Sequence, residues 1–293
     1  MSAATDDAAA SFEPLRGHLI GLAYRMLGSR AEAEDIVQDA YLRWHAADRG
    51  AVREPRAFLS KAVTRLCLDQ LKSARARREE YVGPWLPEPV LDDGALSAAG
   101  AGEYANDLSV ALLLTLERLS PLERAAFLLH DVFDMSFEQV GDALGREPAA
   151  CRQLASRARS HVRQDKPRFK PSPEEENRVF SAFVGALAGG DLAGLVRILA
   201  GDAEFYADGG GKAAAARQPL FGPERVAKFL HGVVRKFYLP HDAQYRVARI
   251  NGLPGLVVTI GGEVVQTLAV EVRDGVVAKL YSMRNPDKLR YVH

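Results

Sequence analysis

The side chains best suited to chemistry in this chain sit in one short helical stretch, residues 148–163. Arg152, Gln153, Ser156 and Arg157 recur on one side, with Arg159 and Arg163 near its flanks. Cys151, Leu154, Ala155, Ala158 and Val162 recur on the other at the three-and-four spacing of a buried stripe. Guanidinium and carboxamide groups on a helix reach base edges and phosphates when that helix lies in a major groove. The helix N-terminus adds unpaired amides for a phosphate. Net charge is zero over 293 residues, yet residues 152–170 hold seven Lys or Arg and one Asp. A chain whose total cancels can still carry a local electrostatic footprint. The competing reading is a solvated helical hairpin, because cations near a helix C-terminus also complement its dipole.

Two other groups invite a role. Glu32, Glu34, Asp35 and Asp39 surround one helix with a strong apolar stripe, and Asp35 and Asp39 share a face. Like charges there cost a few tenths of a kcal/mol, which suits either a partner or a solvated face. Arg49, Arg53, Arg56, Lys61, Arg65 and Lys72, with the Arg75 to Arg78 cluster, form a basic series fit to follow a nucleic-acid backbone. In the last third, Tyr206, Asp208, His231, Tyr238, His241 and Tyr245 are available as polar groups of a pocket. A general base needs an aimed position and a suitable pKa, and sequence supplies neither. The run Asp208-Gly209-Gly210-Gly211-Lys212 lacks the spacing and the following hydroxyl of a phosphate-binding loop, so it reads as a close-packed turn. Cys67 and Cys151 lie in apolar helical patterns and read as buried free thiols. No cluster has metal-ligand spacing, so neither metal nor cofactor is expected.

The elements that must position these groups follow from local signals. A helix runs from Leu15, stopped by Gly28, and Ser29 caps a second from about Arg30 to Ala46. Pro55 opens a third. Residues 83–102 change to proline, glycine and aspartate and read as a linker, with Trp85 and Leu86 as apolar anchors. Helices resume over residues 104–119. Ser120-Pro121-Leu122-Glu123 and Ser136 with Gln139 are capping-box starts. Gly145 closes the short helix FEQVGDAL, and Gly141 permits close helix approach. Pro167, Pro171 and Pro173 form a hinge. One or two helices over about residues 174–187 and 192–199, a helix at 222–234 and several strand-like segments follow, punctuated by Asn251-Gly252, Gly261-Gly262 and Asp274-Gly275, which indicate hairpins. The expected domains are therefore 1–82 and 107–168, both all-α, a linker at 83–106, and an α+β domain at 174–293. The opening residues lack a signal peptide's basic and apolar regions, and no apolar run approaches a membrane span, so a cytoplasmic protein is expected.

On these residues a family resemblance can be stated. HLIGLAYRMLGSRAEAEDIVQDAYLRW and EPRAFLSKAVTRLCLDQLKSARARRE resemble region 2 of extracytoplasmic-function (ECF) sigma factors, and LSPLERAAFLLHDVFDMSFEQVGDALGREPAACRQLASRARSHV resembles their region 4. The resemblance implies that Asp35, Ile36, Gln38 and Asp39 bind core RNA polymerase. It implies that Arg49, Arg53, Arg56, Lys61 and Arg65 act on the melted non-template strand of the −10 element. Arg152, Gln153, Ser156, Arg157 and Arg159 would read the −35 element as duplex. Ala150 and Leu154 depart from the family pattern, where a hydroxyl residue and an arginine are more common.

The last third resembles the SnoaL-like domain of one subgroup, through Trp85-Leu86-Pro87, the 208–212 run, and Asn285-Pro286-Asp287-Lys288-Leu289. That resemblance implies a cone-shaped α+β barrel that contacts the linker and the region 2 side and regulates the chain in cis. The free chain is expected to be a monomer, and not an enzyme. The alternative is a small-ligand-sensing or ketosteroid-isomerase-like enzyme domain fused to a DNA-binding module.

Overall fold

The computed structural model describes residues 2–79, 81–91, 107–164 and 171–293. The chain forms two compact units, one of Met1–Glu79 with Asp93–Lys166 and one of Glu80–Asp92 with Pro167–His293. The start of the expected linker therefore belongs with the C-terminal unit.

The first unit is helical. α1 (Ser2–Leu27) packs on α2 (Arg30–Ala46) and α3 (Pro55–Glu79). It begins a full three turns before the expected Leu15, with Pro14 inside it. Ala8 and Phe12 are buried, Phe12 meets Tyr41 edge-on at 4.9 Å, and Trp44 Nε1 donates to Ser11 Oγ at 3.2 Å. Tertiary burial of that extra face carries the helix past the proline. Gly28 ends α1 at φ 70°, and the Ser29 side chain accepts from the Glu32 amide, as the sequence indicated.

α4 (Val110–Arg118) begins at a Ser109 cap, later than expected among the described residues. Ser120 and Glu123 form the capping box of α5 (Pro121–Phe127), which continues through a π turn to Val132. Ser136 and Gln139 form the box of α6 (Phe137–Leu144), and Gly145 closes it in the left-handed region at φ 64°. A Cβ on Gly141 would lie 2.6 Å from the Arg146 carbonyl oxygen, so only glycine lets the turn fold back before α7 (Pro148–Gln164).

In the second unit, α8 (Pro173–Ala188), α9 (Leu192–Ile198) and α10 (Pro223–Val233) cover one face of a six-stranded sheet. The strands are β1 (Leu199–Asp208), β2 (Leu220–Phe221), β3 (Gln244–Ile250), β4 (Leu253–Ile260), β5 (Glu263–Arg273) and β6 (Val276–Met283), in the order β2-β1-β6-β5-β4-β3. Asn251-Gly252 and Asp274-Gly275 each place two residues at positive φ, the geometry of a tight hairpin turn. The pairings among β3 to β6 are antiparallel, whereas β1 runs parallel to β6. Bulges in the β4–β5 and β5–β6 ladders bend those strands around the helices. Phe183, Leu195, Phe205, Val226, Val270 and Leu280 are the centre of the core. This is the α+β fold expected of a SnoaL-like domain.

Candidate nucleic-acid interface and docked linker

The helix-turn-helix presents most of the predicted residues. Cys151, Ala155, Ala158 and Val162 are buried, so the opposite side of α7 faces solvent, with Arg152, Gln153, Ser156, Arg157 and Arg163 exposed. Arg152 lies 3.5 Å from Glu138 and 5.4 Å from the Phe137 ring centre. Arg157 Nε donates to Glu123 at 2.8 Å. The Glu123 carboxyl is held below the usual range, first by the Ser120 hydroxyl and then by Arg157. Arg159 differs from expectation. It is only half-exposed and turns back to Asp131 at 2.6 Å, bracing α7 against the end of α5.

Within the same unit the predicted −10 series meets the helix-turn-helix. Arg56 donates to the Phe133 carbonyl at 3.3 Å, and Lys61 bonds Asp142 at 2.6 Å. Arg65 donates to the carbonyls of Ala143 and Asp142 at 3.1 and 3.3 Å. Sequence reasoning placed these cations on a free face; instead each has a partner around α6, although Arg56 and Arg65 stay exposed. Arg49 and Arg53 lie before α3, where Arg53 is exposed and Arg49 donates to the His45 carbonyl. Lys72 is exposed beside Asp69, and the side chains of the Arg75 to Arg78 cluster lie outside the described residues.

Two buried arginines were missed altogether. Arg124 donates to the Met26 carbonyl at 2.5 Å and to Glu117 at 2.7 Å, tying the end of α1 to α5. Burial pulls its guanidinium down to about 10, and Arg25 likewise, so both stay charged at neutral pH. Arg124 opens a capped helix with an apolar run behind it, and a charged residue there ordinarily reads as surface.

On α2, Asp35, Gln38 and Asp39 are exposed, whereas Ile36 is 8% exposed and belongs to the core stripe. The proposed polymerase-facing surface therefore has three members, with Ile36 setting their orientation from beneath.

In the second unit, the segment Tyr81 to Leu91, which carries the first of the three sequence marks, docks on the other two. Asp208, fully buried, accepts from Tyr81 Oη at 2.6 Å, the Leu86 amide at 2.9 Å, the Gly210 amide at 3.0 Å and Lys288 Nζ at 2.8 Å. Lys288 also donates to the Leu86 carbonyl at 2.6 Å and sits 4.3 Å from the Trp85 ring centre. Asn285 Nδ2 donates to Tyr81 Oη, and its own Oδ1 accepts from the Asp287 amide. Burial, then the bond to Asp208, holds the Tyr81 phenol well above its ordinary range, so it stays a donor.

The glycines are required by contact. A Cβ on Gly209 would lie 2.3 Å from the Ala213 carbonyl oxygen, and one on Gly210 would lie 2.2 Å from Asn285 Nδ2. Gly211 faces Val82. Lys212 pairs with Asp287, Pro286 opens the turn that presents them, and Leu289 is buried. Leu86, Pro87 and Val90 are buried, and Val90 and Asn251 exchange two hydrogen bonds.

Of the six polar residues weighed as pocket groups, only Tyr238 and Tyr245 line the cavity of this unit. Tyr206 stacks on Tyr281 across the sheet's other face, His241 bonds the Phe237 carbonyl at the surface, and Asp208 is consumed by the linker. Among the described residues no group of three His, Cys, Asp or Glu is placed to hold a metal, and no helix is long and apolar enough to cross a membrane. Cys67 and Cys151 are both buried, and burial pushes both thiols up.

A three-helix module with a basic flank, followed by a helix-turn-helix with an exposed arginine row, is the two-part build of a promoter-recognition subunit. Sigma-70 region 2 matches residues 12–77, and Sigma-70, region 4 matches residues 109–162. The ECF RNA polymerase sigma factor SigJ of Mycobacterium tuberculosis is 41% identical, over 94% of this chain and 91% of that one. Probable ECF sigma factor SigI of the same species is 30% identical, over 97% and 95%. The crystal structure of M. tuberculosis SigJ superposes with a TM-score of 0.76 at 39% identity, covering 96% of this chain and 98% of that one. This chain belongs to the ECF RNA polymerase sigma factors. Its two helical regions bind core RNA polymerase and promoter DNA, and so direct where transcription starts.

Proposed function

We propose that the free chain is a closed, monomeric and cytoplasmic form of the factor, and that promoter engagement requires region 2 and region 4 to part. The observation that carries this reading is that Arg56, Lys61 and Arg65 bond Phe133, Asp142 and Ala143, just before and at the end of α6. While they hold Phe133, Asp142 and Ala143, a melted non-template strand has to compete with region 4 for those cations. Asp35, Gln38 and Asp39 meet the polymerase, and Arg49 and Arg53 join the released cations at the −10 element. Arg152, Gln153, Ser156 and Arg157 read the −35 duplex.

The C-terminal domain acts in cis through the docked linker and not as an enzyme. Docking removes the conformational freedom of residues 81–91 from the chain that joins α3 to α4, and hence from the motion that opens the two regions. Reconstituted transcription tests this. Removing residues 174–293 strips the linker of its partner and should leave polymerase binding intact while changing promoter output several-fold. Unchanged output would refute cis regulation.

A second measurement tests the duplex face. Arg152→Ala and Arg157→Ala should each weaken binding to promoter duplex. For every phosphate no longer neutralised, the slope of log K against log salt should become shallower by about 0.9. Arg157 must leave Glu123 at 2.8 Å, a closer pair than Arg152 makes with Glu138 at 3.5 Å, so its loss should cost less than that of Arg152. Affinity unchanged across salt concentrations in both variants would place the helix wrongly on DNA.

A further inference from the structure

We infer that the C-terminal domain binds a small monocarboxylate with an apolar body, and that Arg284 receives its carboxylate. A cavity of about 190 Å³ lies between the sheet and α10. It is somewhat larger than an engineered apolar cavity of about 150 Å³ that takes up benzene. The strand register grades its lining. Leu256 pairs with Leu268, Leu268 with Ser282, and Ser282 with Ala207, giving one mostly apolar row that faces Phe205, Phe229 and Leu230.

Two residues along each strand the next row is polar. Tyr245 pairs with Val258 and Val258 with Gln266, and Arg284 follows opposite Gln266, one step beyond the Thr267–Met283 pair. Tyr238 closes this end by donating its hydroxyl to Gln266 Oε1. The cavity is thus apolar along its length and cationic at one end.

Arg284 is set up to receive an anion. Its Nη1 donates to the Ala214 carbonyl at 2.5 Å, which fixes the guanidinium plane. Its Nε is buried with no acceptor among the described residues. The Nε edge of a guanidinium carries two parallel N–H donors matched to the two oxygens of a carboxylate. A buried donor left unmade is costly, so a carboxylate that enters the cavity and displaces the atoms covering this edge is favoured by both charge and hydrogen bonding. Neither the linker nor the helix-turn-helix uses this group, so the inference stands apart from the reading of promoter opening.

Calorimetric titration of the full chain with octanoate and phenylacetate, each against its neutral amide, tests the assignment. Each acid should bind saturably and at least about tenfold more tightly than its amide, the expected worth of a charge-assisted bond. Arg284→Gln should abolish that preference, and Ala216→Phe, which fills the cavity from its loop, should weaken acid and amide alike. No saturable binding of either acid, or equal affinity for acid and amide in the unaltered chain, overturns the proposal without relying on any variant. An undiminished preference in Arg284→Gln overturns the choice of residue.

Discussion

Replacing Asp208 by alanine should free residues 81–91 from the C-terminal domain while leaving the rest of that domain folded. The carboxylate is fully buried, and Lys288 is only 10% exposed in its side chain. Removing one partner of such a pair leaves the other charge buried without its counter-ion, at a cost of about 3–5 kcal/mol. The Leu86 amide and the Tyr81 hydroxyl lose their acceptor at the same time. Hydrogen exchange is the direct reading, because local opening of the linker is a smaller event than unfolding of the sheet. Protection of the Leu86 and Val90 amides should fall by about a hundredfold or more, since each 1.4 kcal/mol is a factor of ten. Amides of β5 should keep theirs. The double variant Asp208→Ala, Lys288→Met should recover part of the loss, because no buried charge is then left without its counter-ion. If Leu86 keeps its protection in Asp208→Ala, the apolar burial of Leu86 and Val90 with the Asn251 bonds holds the linker unaided. The same variant in transcription separates linker release from loss of the whole domain.

The features legible in the sequence are those in which a residue's type answers a local demand. Ser29, Ser120 and Ser136 cap helices because a side-chain oxygen must meet an orphan amide, and Gly145 ends one because its φ is positive. Asn251-Gly252 and Asp274-Gly275 mark hairpins for the same reason. That strand-like segments fill the last third was visible, but not that β1 would pair parallel with β6. That pairing joins segments about seventy-five residues apart, and no local rule specifies it.

Likewise the basic series at Arg56, Lys61 and Arg65 reads as one function, nucleic-acid contact, because a cation's partner is invisible in sequence when it lies across a tertiary interface. Here that partner is largely main chain: the carbonyls of Phe133, Ala143 and Asp142. Arg284 escapes notice on the same ground. It follows a strand of ordinary pattern, and only the register shows that it continues the row of Gln266. The 208–212 and 285–289 marks were identified through resemblance, and their physical reason emerged from contact: a Cβ on Gly210 collides with Asn285.

The buried Arg124 carries the other large effect. It is 3% exposed and joins the Met26 carbonyl to Glu117, whose side chain is 15% exposed. Arg124→Met should destabilise the helical unit by about 3–5 kcal/mol, since Glu117 is left charged in a poorly solvated site. For a unit of this size each kcal/mol moves the midpoint of thermal unfolding by about 2–4 °C, so a fall of roughly 10 °C is expected. The double variant Arg124→Met, Glu117→Leu should regain most of it, because replacing a buried pair by apolar groups of similar volume is often neutral. That double variant then separates stability from function. It lacks the bond that ties the end of α1 to α5, yet it keeps every residue assigned to DNA. If the closed form limits promoter engagement, its affinity for promoter duplex with core polymerase should rise above that of the unaltered chain, since one bond opposing the opening is gone. A stable double variant with unchanged affinity would mean that α1 and α5 stay together on the promoter, and that opening runs through the contacts of Arg56, Lys61 and Arg65.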